Sequence, residues 1–436
     1  MKRPFFLYAV FTLFIVGRTN AQLDVGSDGS DGAFVFVPDG GTGNTMTIDL
    51  SQAASLCDCD ADTQIDDPCR WDCPSPVTGR GVYDPQQWAI VYKWSNVDVP
   101  GGKTVRFTNH PSKAPVVWLV QQDVTIASGA LVSLLGPAVP QNGATAEPGP
   151  GGFRGGRDTL GQNAQGSGGF GPGGGDYTFF SYPIDVYGSE GSYGTAGGGN
   201  PVAPTYGNSA IVPLLGGSGG ADRNNIAGGS AGGGAILIAA GSNVVVNGTI
   251  DASSTWGGTN GSGGAIRIIG EAVTGTGVLR ALSGFGPNGA GRIRIEAFTN
   301  SLSGSNPAAS FAEPTIPPTI WPPPTGPTVR VNAIDYTDLQ GQPQTVTIPA
   351  DFDPRAALDY PFADIAFETD EDITFHIEAT NMPLDWIVKV RVVPKAGNTF
   401  SVTAGPLSGT VALSTTTAAT SFPGGFSAVQ VRAAAP

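Results

Sequence analysis

Residues 235–305 decide the fold, and they divide into three similar segments: AILIAAGSNVVVNGTIDASS (235–254), AIRIIGEAVTGTGVLRALSG (265–284) and GRIRIEAFTNSLSGS (291–305). Each segment begins with alternating aliphatic residues, passes through a polar break and makes a second short strand that ends at Gly or Ser. Ile236, Ile266 and Ile293 hold the same place in their segments, which gives periods of 30 and 27 residues. Repeats of this length are typical of stacked architectures.

The alternation within each segment predicts two opposite faces. The isoleucines at 236, 266 and 293 should point one way, whereas Arg267 and Arg294 should point the other. We therefore predict an all-β protein whose main part is a parallel β-helix, in which each coil buries the apolar side chains of the coil before it. An antiparallel β-sandwich also has alternating strands and is the competing prediction. The repeat favours the helix because it preserves which residue occupies each position.

Two earlier segments fit the same pattern, NVDVPGGKTVRF (96–107) and PVVWLVQQDVTIASGALVSL (115–134). Within the second, DVTIASGAL aligns with NVVVNGTID of residues 243–251. The predicted β-helix accordingly spans residues 80–312 and is interrupted by a Gly-rich insertion at 136–234.

The N-terminus has the pattern of a secretory signal peptide, with a basic start, an apolar run over 5–16 and a small-residue exit. We predict cleavage after Ala21. The alternative is a membrane anchor, but the apolar run is shorter than the roughly 20 residues a spanning helix needs. The expected location is therefore secreted, either extracellular or on a cell surface, with no membrane span.

The chain is acidic, with a formal net charge of −14 that becomes −17 once Lys2, Arg3 and Arg18 are removed with the signal peptide. Nucleic-acid binding requires a basic face, so the composition argues against that partner. An acidic surface also raises the possibility of bound divalent cations.

Residues 22–79 are predicted to form an N-terminal cap that carries all four cysteines, Cys57, Cys59, Cys69 and Cys73. In a secreted protein an even cysteine count indicates disulfides, with Cys57 and Cys59 each joined to Cys69 or Cys73. Zinc is the alternative, although the spacing is not a usual one. Asp58, Asp60 and Asp62 resemble the opening of a calcium loop, but Thr63 and Cys69 stand where Gly and Glu belong. Ca2+ is thus a candidate cofactor, and a solvated acidic loop is the other interpretation.

The insertion at 136–234 contains 31 glycines in 99 residues. Disorder is one interpretation of such a composition. Recurring aromatic residues favour another, a close-packed layer of irregular or polyproline-like backbone lying on the predicted coils. These residues are Phe153, Phe170, Tyr177, Phe179, Phe180, Tyr182, Tyr187, Tyr193 and Tyr206.

Residues 313–327 hold seven prolines in fifteen positions and predict a semi-rigid extended linker that acts as a hinge. Residues 328–436 contain eight short alternating segments at close spacing, which predict a β-sandwich of the immunoglobulin or fibronectin kind in outline.

The motifs PLLGGSGG (213–220), GGGAILIAA (232–240), VVVNGTIDAS (244–253), GGAIRI (263–268) and GAGRIRIEA (289–297) resemble those of secreted, Gly-rich bacterial proteins. That family is largely uncharacterised and is expected to form right-handed parallel β-helices. The resemblance covers roughly residues 25–300. It implies an extracellular or cell-surface location and supplies no catalytic residues.

The candidate binding residues are Arg267, Arg280, Arg292 and Arg294, which could form a basic stripe for acidic sugars or simply a solvated face. The acidic residues of the coils are scattered over different positions and do not stack into a catalytic pair. The two histidines, His110 and His376, fall in different predicted domains. The sequence therefore leans away from an enzyme without excluding one.

The leading functional hypothesis is a secreted, non-catalytic structural or adhesive protein that self-associates into filaments by strand addition. The competing hypothesis is a carbohydrate-active or carbohydrate-binding β-helix protein that acts on acidic cell-surface or matrix polysaccharide.

Overall fold

The structure is a computed structural model, and it describes residues 22–55, 78–138, 145–157, 166–181, 184–222, 228–284, 286, 288–348, 369, 372–422 and 427–436. The protein is all-β, and the helical elements within these ranges are two short 3-10 turns, Asp39–Gly41 and Leu50–Gln52.

The first nine strands precede the Gly-rich insertion: β1 (Thr45–Asp49), β2 (Ala54–Ser55), β3 (Val82–Asp84), β4 (Ala89–Trp94), β5 (Val97–Val99), β6 (Thr104–Thr108), β7 (Val116–Val120), β8 (Val124–Ile126) and β9 (Leu131–Ser133). The next ten run to the Pro-rich segment: β10 (Tyr177–Ser181), β11 (Ile184–Gly188), β12 (Ala235–Ala240), β13 (Asn243–Val246), β14 (Thr249–Asp251), β15 (Ala265–Thr274), β16 (Val278–Arg280), β17 (Arg292–Asn300), β18 (Ser305–Asn306) and β19 (Ser310–Ala312).

Eight strands follow the Pro-rich segment: β20 (Thr328–Thr337), β21 (Pro343–Thr347), β22 (Asp372–Thr380), β23 (Ile387–Pro394), β24 (Phe400–Thr403), β25 (Ser408–Gly409), β26 (Leu413–Ser421) and β27 (Ser427–Ala434).

Most strands before residue 313 pair in parallel, and the exceptions among the described residues are the antiparallel pairs β3–β4 and β10–β11. Ile236 of β12 lies opposite Ile266 of β15, which lies opposite Ile293 of β17, so the predicted register is confirmed. Val124 lies opposite Val244, as the alignment of the earlier segment predicts. The competing antiparallel arrangement is wrong for these residues. Because β7 pairs directly with β12, the long insertion between them leaves no gap in the stack.

The parallel strands form two sheets around one apolar core. One is a six-stranded sheet of order β1-β6-β9-β14-β16-β18, and the other contains β4, β7, β12 and β15. The isoleucines at 236, 238, 266, 268, 293 and 295 are all buried in the core cluster between the sheets. At about 1.5–3 kcal/mol for each fully buried aliphatic side chain, this column is the main local source of stability.

Stacking begins earlier in the chain than residue 80. Strand β1 pairs in parallel with β6, and Ala33 forms a parallel bridge with Asn96. The region predicted as a cap therefore contributes strands to the stack. Leu23 and Val25 do not enter the central core. They pack on the outward side of β7 and β12, where Leu237 and Leu119 are also buried.

The Pro-rich segment covers the same outward side. Ile320 and Trp321 pack against the cluster that contains Leu237 and Ile269. The carbonyl oxygens of Thr319 and Ile320 accept hydrogen bonds from Arg267. These contacts hold residues 319–321 against the parallel strands, which corrects the expectation that this semi-rigid linker acts as a hinge.

The Gly-rich insertion, where described, is a hydrogen-bonded layer. In residues 228–234 the amides of Gly229 and Gly232 donate to the carbonyls of Gly156 and Phe153. The amides of Ser230 and Gly233 donate in another direction, to Thr259 and Ser262. Donors three residues apart thus share one neighbour, and three residues is the period of a polyproline II helix. The prediction of a close-packed layer is confirmed for these segments.

Close backbone approach explains why the layer needs glycine. A Cβ on Gly219 would overlap the carbonyl oxygen of Arg154, and one on Gly232 would overlap that of Gly217. The layer also contains buried aromatic residues, namely Phe153, Tyr177 and Tyr193. The ring of Tyr193 stacks on that of Tyr206 at 4.5 Å between centroids.

The described residues between 328 and 436 form two antiparallel sheets, β21-β20-β22-β26-β25 and β24-β23-β27. A second apolar cluster lies between them, with Phe375 and Ile377 from one sheet and Val390 and Val392 from the other. The predicted segment at 365–369 lies almost entirely outside the described residues, whereas the other predicted segments correspond to strands.

The smaller C-terminal sheet is joined to the Gly-rich layer by Arg391. Its guanidinium is buried, binds the Asp176 carboxylate and donates to the carbonyls of Gly169, Gly174 and Gly175. The amide of Thr399 also donates to the carbonyl of Tyr177 at 3.0 Å.

Candidate functional site

Arg267 and Arg294 lie in register on β15 and β17, as the repeat predicts, but they do not form an open basic surface. Arg267 is 2% exposed, and its Nε lies 3.0 Å from Glu296 Oε1. Arg294 Nε lies 3.3 Å from the same oxygen. Burial lowers the pKa of Arg267, and the neighbouring Glu296 carboxylate acts in the opposite direction. Arg267 points away from the isoleucine core, as predicted, but the expectation that it is open to a ligand is wrong, because the Pro-rich segment covers it.

Arg292 also has partners inside the chain. Its Nη2 donates to the carbonyl of Tyr206 at 2.8 Å, and its guanidinium lies 5.5 Å from the centre of the Tyr193 ring. This arginine therefore ties β17 to the Gly-rich layer. A cation over an aromatic face together with a carbonyl acceptor explains why it is half-buried.

Arg280 is different, because it lies on the outer face of the six-stranded sheet and is exposed. No partner of its guanidinium is found among the described residues. Val132, Ile250 and Leu279 point into the core, so their neighbours on β9, β14 and β16 point to solvent. The alternation within each short strand therefore places Arg280 on this face.

Two columns of side chains run across this face. The first contains Thr104, Leu131, Thr249 and Val278, in register on four successive strands. The second runs beside it and contains Arg106, Ser133, Asp251, Arg280 and Asn306.

A groove of about 340 Å³ lies along the first column. Its floor is Leu131, Thr249 and Val278, and one side is formed by Asp251 and Arg280. The other side is formed by the turns at Asn247 and Thr276, where Asn247 Oδ1 accepts a hydrogen bond from the Thr276 amide at 3.1 Å. This contact between the two turns holds the side of the groove in register between β14 and β16.

Arg106 is a further residue of this face, and the sequence carries a signal for it that the four candidate arginines do not include. TVRF alternates like the later segments, and Arg106 takes the outward position opposite Ser133. It is exposed, and within the described ranges its guanidinium has no partner. Aligning this strand with β16 through β9 and β14 would have placed Arg106 and Arg280 in one column.

The other predicted sites are separate from this groove or lie outside the described residues. Cys57, Cys59, Cys69 and Cys73, and the candidate calcium ligands Asp58, Asp60 and Asp62, all fall outside them. Among the residues that are described, no group of three or more His, Cys, Asp or Glu side chains is placed to hold a metal ion.

Both histidines have local partners. His110 stacks on Tyr83 at 4.4 Å between centroids, and its Nδ1 lies 2.8 Å from Ser112 Oγ. Burial, with a smaller contribution from Lys113, lowers the pKa of His110 to about 4. His376 Nε2 lies 2.6 Å from Asp335 Oδ2. Hydrogen bonds from Thr345 and then His376 lower the pKa of Asp335.

No family model, curated protein or solved structure matches this chain. In the part of the chain that the structure describes, no helix is long and apolar enough to cross a membrane.

Proposed function

We propose that this protein is a secreted, non-catalytic structural or adhesive protein. In this proposal residues 80–312, together with β1 and β2, form a parallel β-helix of the kind found in Gly-rich secreted bacterial proteins. Residues 328–436 then form a β-sandwich carried at its side. The observation that supports the architecture best is the register of Ile236, Ile266 and Ile293 on adjacent parallel strands.

The way the parts are fastened together supports a mechanical role. The Gly-rich layer binds the coils through backbone amides, and the Pro-rich segment is held by Arg267. Arg391 fixes the C-terminal sheets to the same layer. Such a molecule presents its surfaces in a fixed relation to one another, which suits adhesion or a place in a matrix.

Self-association by strand addition is part of the proposal, and β1 is the strand end to test. Its pairing partner is β6 on one side, and on the other the amide of Thr47 donates to Asp39 Oδ1 at 2.8 Å. The Thr47 hydroxyl donates to Asp39 Oδ2 at the same distance. A carboxylate that accepts a hydrogen bond from an edge-strand amide competes with an incoming strand for that amide. Asp39 therefore acts as a partial block on head-to-tail joining.

The test is the state of assembly of the secreted protein. Mature protein starting at Gln22 would be examined by analytical ultracentrifugation and negative-stain electron microscopy, beside Asp39→Ala and the control Asp385→Ala, an exposed carboxylate in the C-terminal part. We expect end-to-end oligomers that lengthen in Asp39→Ala and do not change in the control. If all three proteins stay monomeric at every concentration, strand addition is wrong.

The non-catalytic part of the proposal has its own test. Purified protein would be incubated with neutral and acidic polysaccharides, and new reducing ends and unsaturated products would be measured. We expect no release above a heat-inactivated sample. Reproducible depolymerisation of any one polymer would overturn this part and support the carbohydrate-active alternative.

A further inference from the structure

We propose that the outer face of the six-stranded sheet binds a single extended polyuronate chain, running across the strands along the groove floored by Leu131, Thr249 and Val278. This inference rests on the proposed adhesive function and names its ligand class. Arg106 and Arg280 bind carboxylates of the polymer, and Asp251 accepts hydrogen bonds from its hydroxyl groups.

The floor suits an extended sugar chain. Leu131, Thr249 and Val278 are half-buried and repeat from strand to strand in strict register. Neighbouring strands are about 4.7–4.9 Å apart, which is close to the length of one pyranose ring, so successive sugars would meet successive coils. The apolar groups of Leu131 and Val278 would contact sugar C–H faces, and the Thr249 hydroxyl lies between them.

The two arginines supply the charge selectivity. Both are exposed, and both have guanidinium groups with no partner among the described residues. They are three strand spacings apart, because β9 and β14 lie between β6 and β16, so roughly 14–15 Å separates them along the column. A polymer with a carboxylate on every sugar can reach both. A guanidinium binds a carboxylate through two parallel N–H donors, which is the geometry available here.

Asp251 lies in the second column between the two arginines and supplies an acceptor. Its Oδ1 already accepts the amide of Ser253 at 2.9 Å, which orients the carboxylate. The second oxygen can then accept a sugar hydroxyl. Its two neighbours in the chain, Ile250 and Ala252, are buried and hold this segment in place.

The same charges argue against a polyphosphate ligand. The face carries Asp49 and Asp251 beside the two arginines, and the whole chain has a formal net charge of −14. A densely charged phosphate backbone needs several cations without intervening carboxylates. A polymer with one carboxylate on each sugar and hydroxyl donors in between fits this mixed pattern better.

The test is binding of polygalacturonate and alginate by affinity electrophoresis and calorimetry, with neutral galactan as the uncharged comparison. The variants are Arg106→Gln, Arg280→Gln and their combination, and Arg80→Gln is the control because Arg80 is exposed but lies outside this sheet. We expect each single variant, at Arg106 or at Arg280, to weaken binding about tenfold, the effect of losing one charge-assisted contact. Salt should weaken wild-type binding more than that of the double variant.

The outcomes separate the ligand from the broader function. Equal binding by all variants, or binding of galactan alone, would overturn the polyuronate site. An absence of all glycan binding by protein that still forms end-to-end oligomers would also overturn the site but would leave the structural function standing. Cleavage of polygalacturonate that depends on Arg280 would keep the site and overturn the non-catalytic function. Circular dichroism of each variant verifies folding, which we expect to be unchanged at these exposed positions.

Discussion

Arg391 Nε lies 3.0 Å from Asp176 Oδ1, and its Nη2 lies 2.9 Å from the same oxygen. The two residues come from the C-terminal sheet and the Gly-rich layer, 215 positions apart in the chain. The remaining guanidinium donors are taken by glycine carbonyls and by Gln430 Oε1. A buried charge is tolerated here because its hydrogen-bonding capacity is used.

Replacement of Arg391 should therefore detach the two parts. In Arg391→Met the Asp176 carboxylate and the carbonyls of Gly169, Gly174 and Gly175 lose their donor, and we expect a loss of about 3–5 kcal/mol in the coupling between the parts. Differential scanning calorimetry should show a separate, earlier transition for the C-terminal sheets, and protease should cut more readily near residues 313–327. Lys389→Met, an exposed position on the same strand, is the control and should behave like wild type. A single unshifted transition in Arg391→Met would contradict this account.

A second prediction concerns the contribution of the isoleucine column to stability. Ile266→Ala removes a fully buried side chain between Ile236 and Ile293, and the free energy of unfolding should fall by about 2–5 kcal/mol. Denaturant unfolding followed by far-ultraviolet circular dichroism measures it. The control is Ile316→Ala, whose side chain is 79% exposed and whose loss should change stability by no more than about 0.5 kcal/mol. Similar losses in both variants would mean that the column does not carry the stability assigned to it.

The Gly-rich layer makes a third prediction. In Gly219→Ala the new Cβ would overlap the Arg154 carbonyl oxygen, so the layer must open or the backbone must shift. Gly405→Ala is the matched control, because its Cβ would lie 3.4 Å from Thr416 Oγ1, an ordinary contact. We expect hydrogen exchange at residues 228–234 and 259–262 to accelerate in the first variant and not in the second. Unchanged protection in Gly219→Ala would show that glycine is not required there.

A fourth prediction concerns the dependence of stability on pH, which His110 should influence. Burial holds its pKa at about 4 in the folded protein, whereas an unfolded chain has the ordinary value of about 6.5. Between these values the unfolded state binds the extra proton, so stability falls as the pH is lowered from about 6.5 to about 4. His110→Gln should remove this part of the dependence. Urea unfolding at pH 7.5 and pH 4.5 measures the difference, and an equal loss of stability in both proteins would refute the assignment to His110.

The sequence predicts the register of the parallel strands, but it does not predict which segments pack on their outer side. Register follows from the repeated positions of Ile236, Ile266 and Ile293, since a shift of one residue would turn every isoleucine outward. The docking of Ile320 and Trp321 could not be predicted, because a Pro-rich segment has the same composition whether it is free or held. The burial of Arg267 depends on that docking. The sequence alone therefore places Arg267 in an open basic stripe.

The hydrogen-bond partners of the glycine amides also cannot be predicted from the sequence. Glycine has no side chain to mark which direction its amide faces, so the aromatic residues indicated a packed layer without specifying the neighbours of Gly229 or Gly232. The face proposed to bind polyuronate is an intermediate case. Arg280 is a candidate from the sequence alone, whereas Arg106 joins it only when residues 96–106 are aligned with residues 123–133, an alignment that matches the pairing of β6 with β9.

The spacing of amide donors in the Gly-rich layer limits how this protein can change in length. Gly229 and Gly232 face one neighbour, and Ser230 and Gly233 face another. Loss of a single codon within 228–234 would rotate every later amide by about a third of a turn and aim it at the wrong acceptor. Loss or gain of three codons would restore each direction. Length variants that still fold should therefore differ in this segment by multiples of three residues.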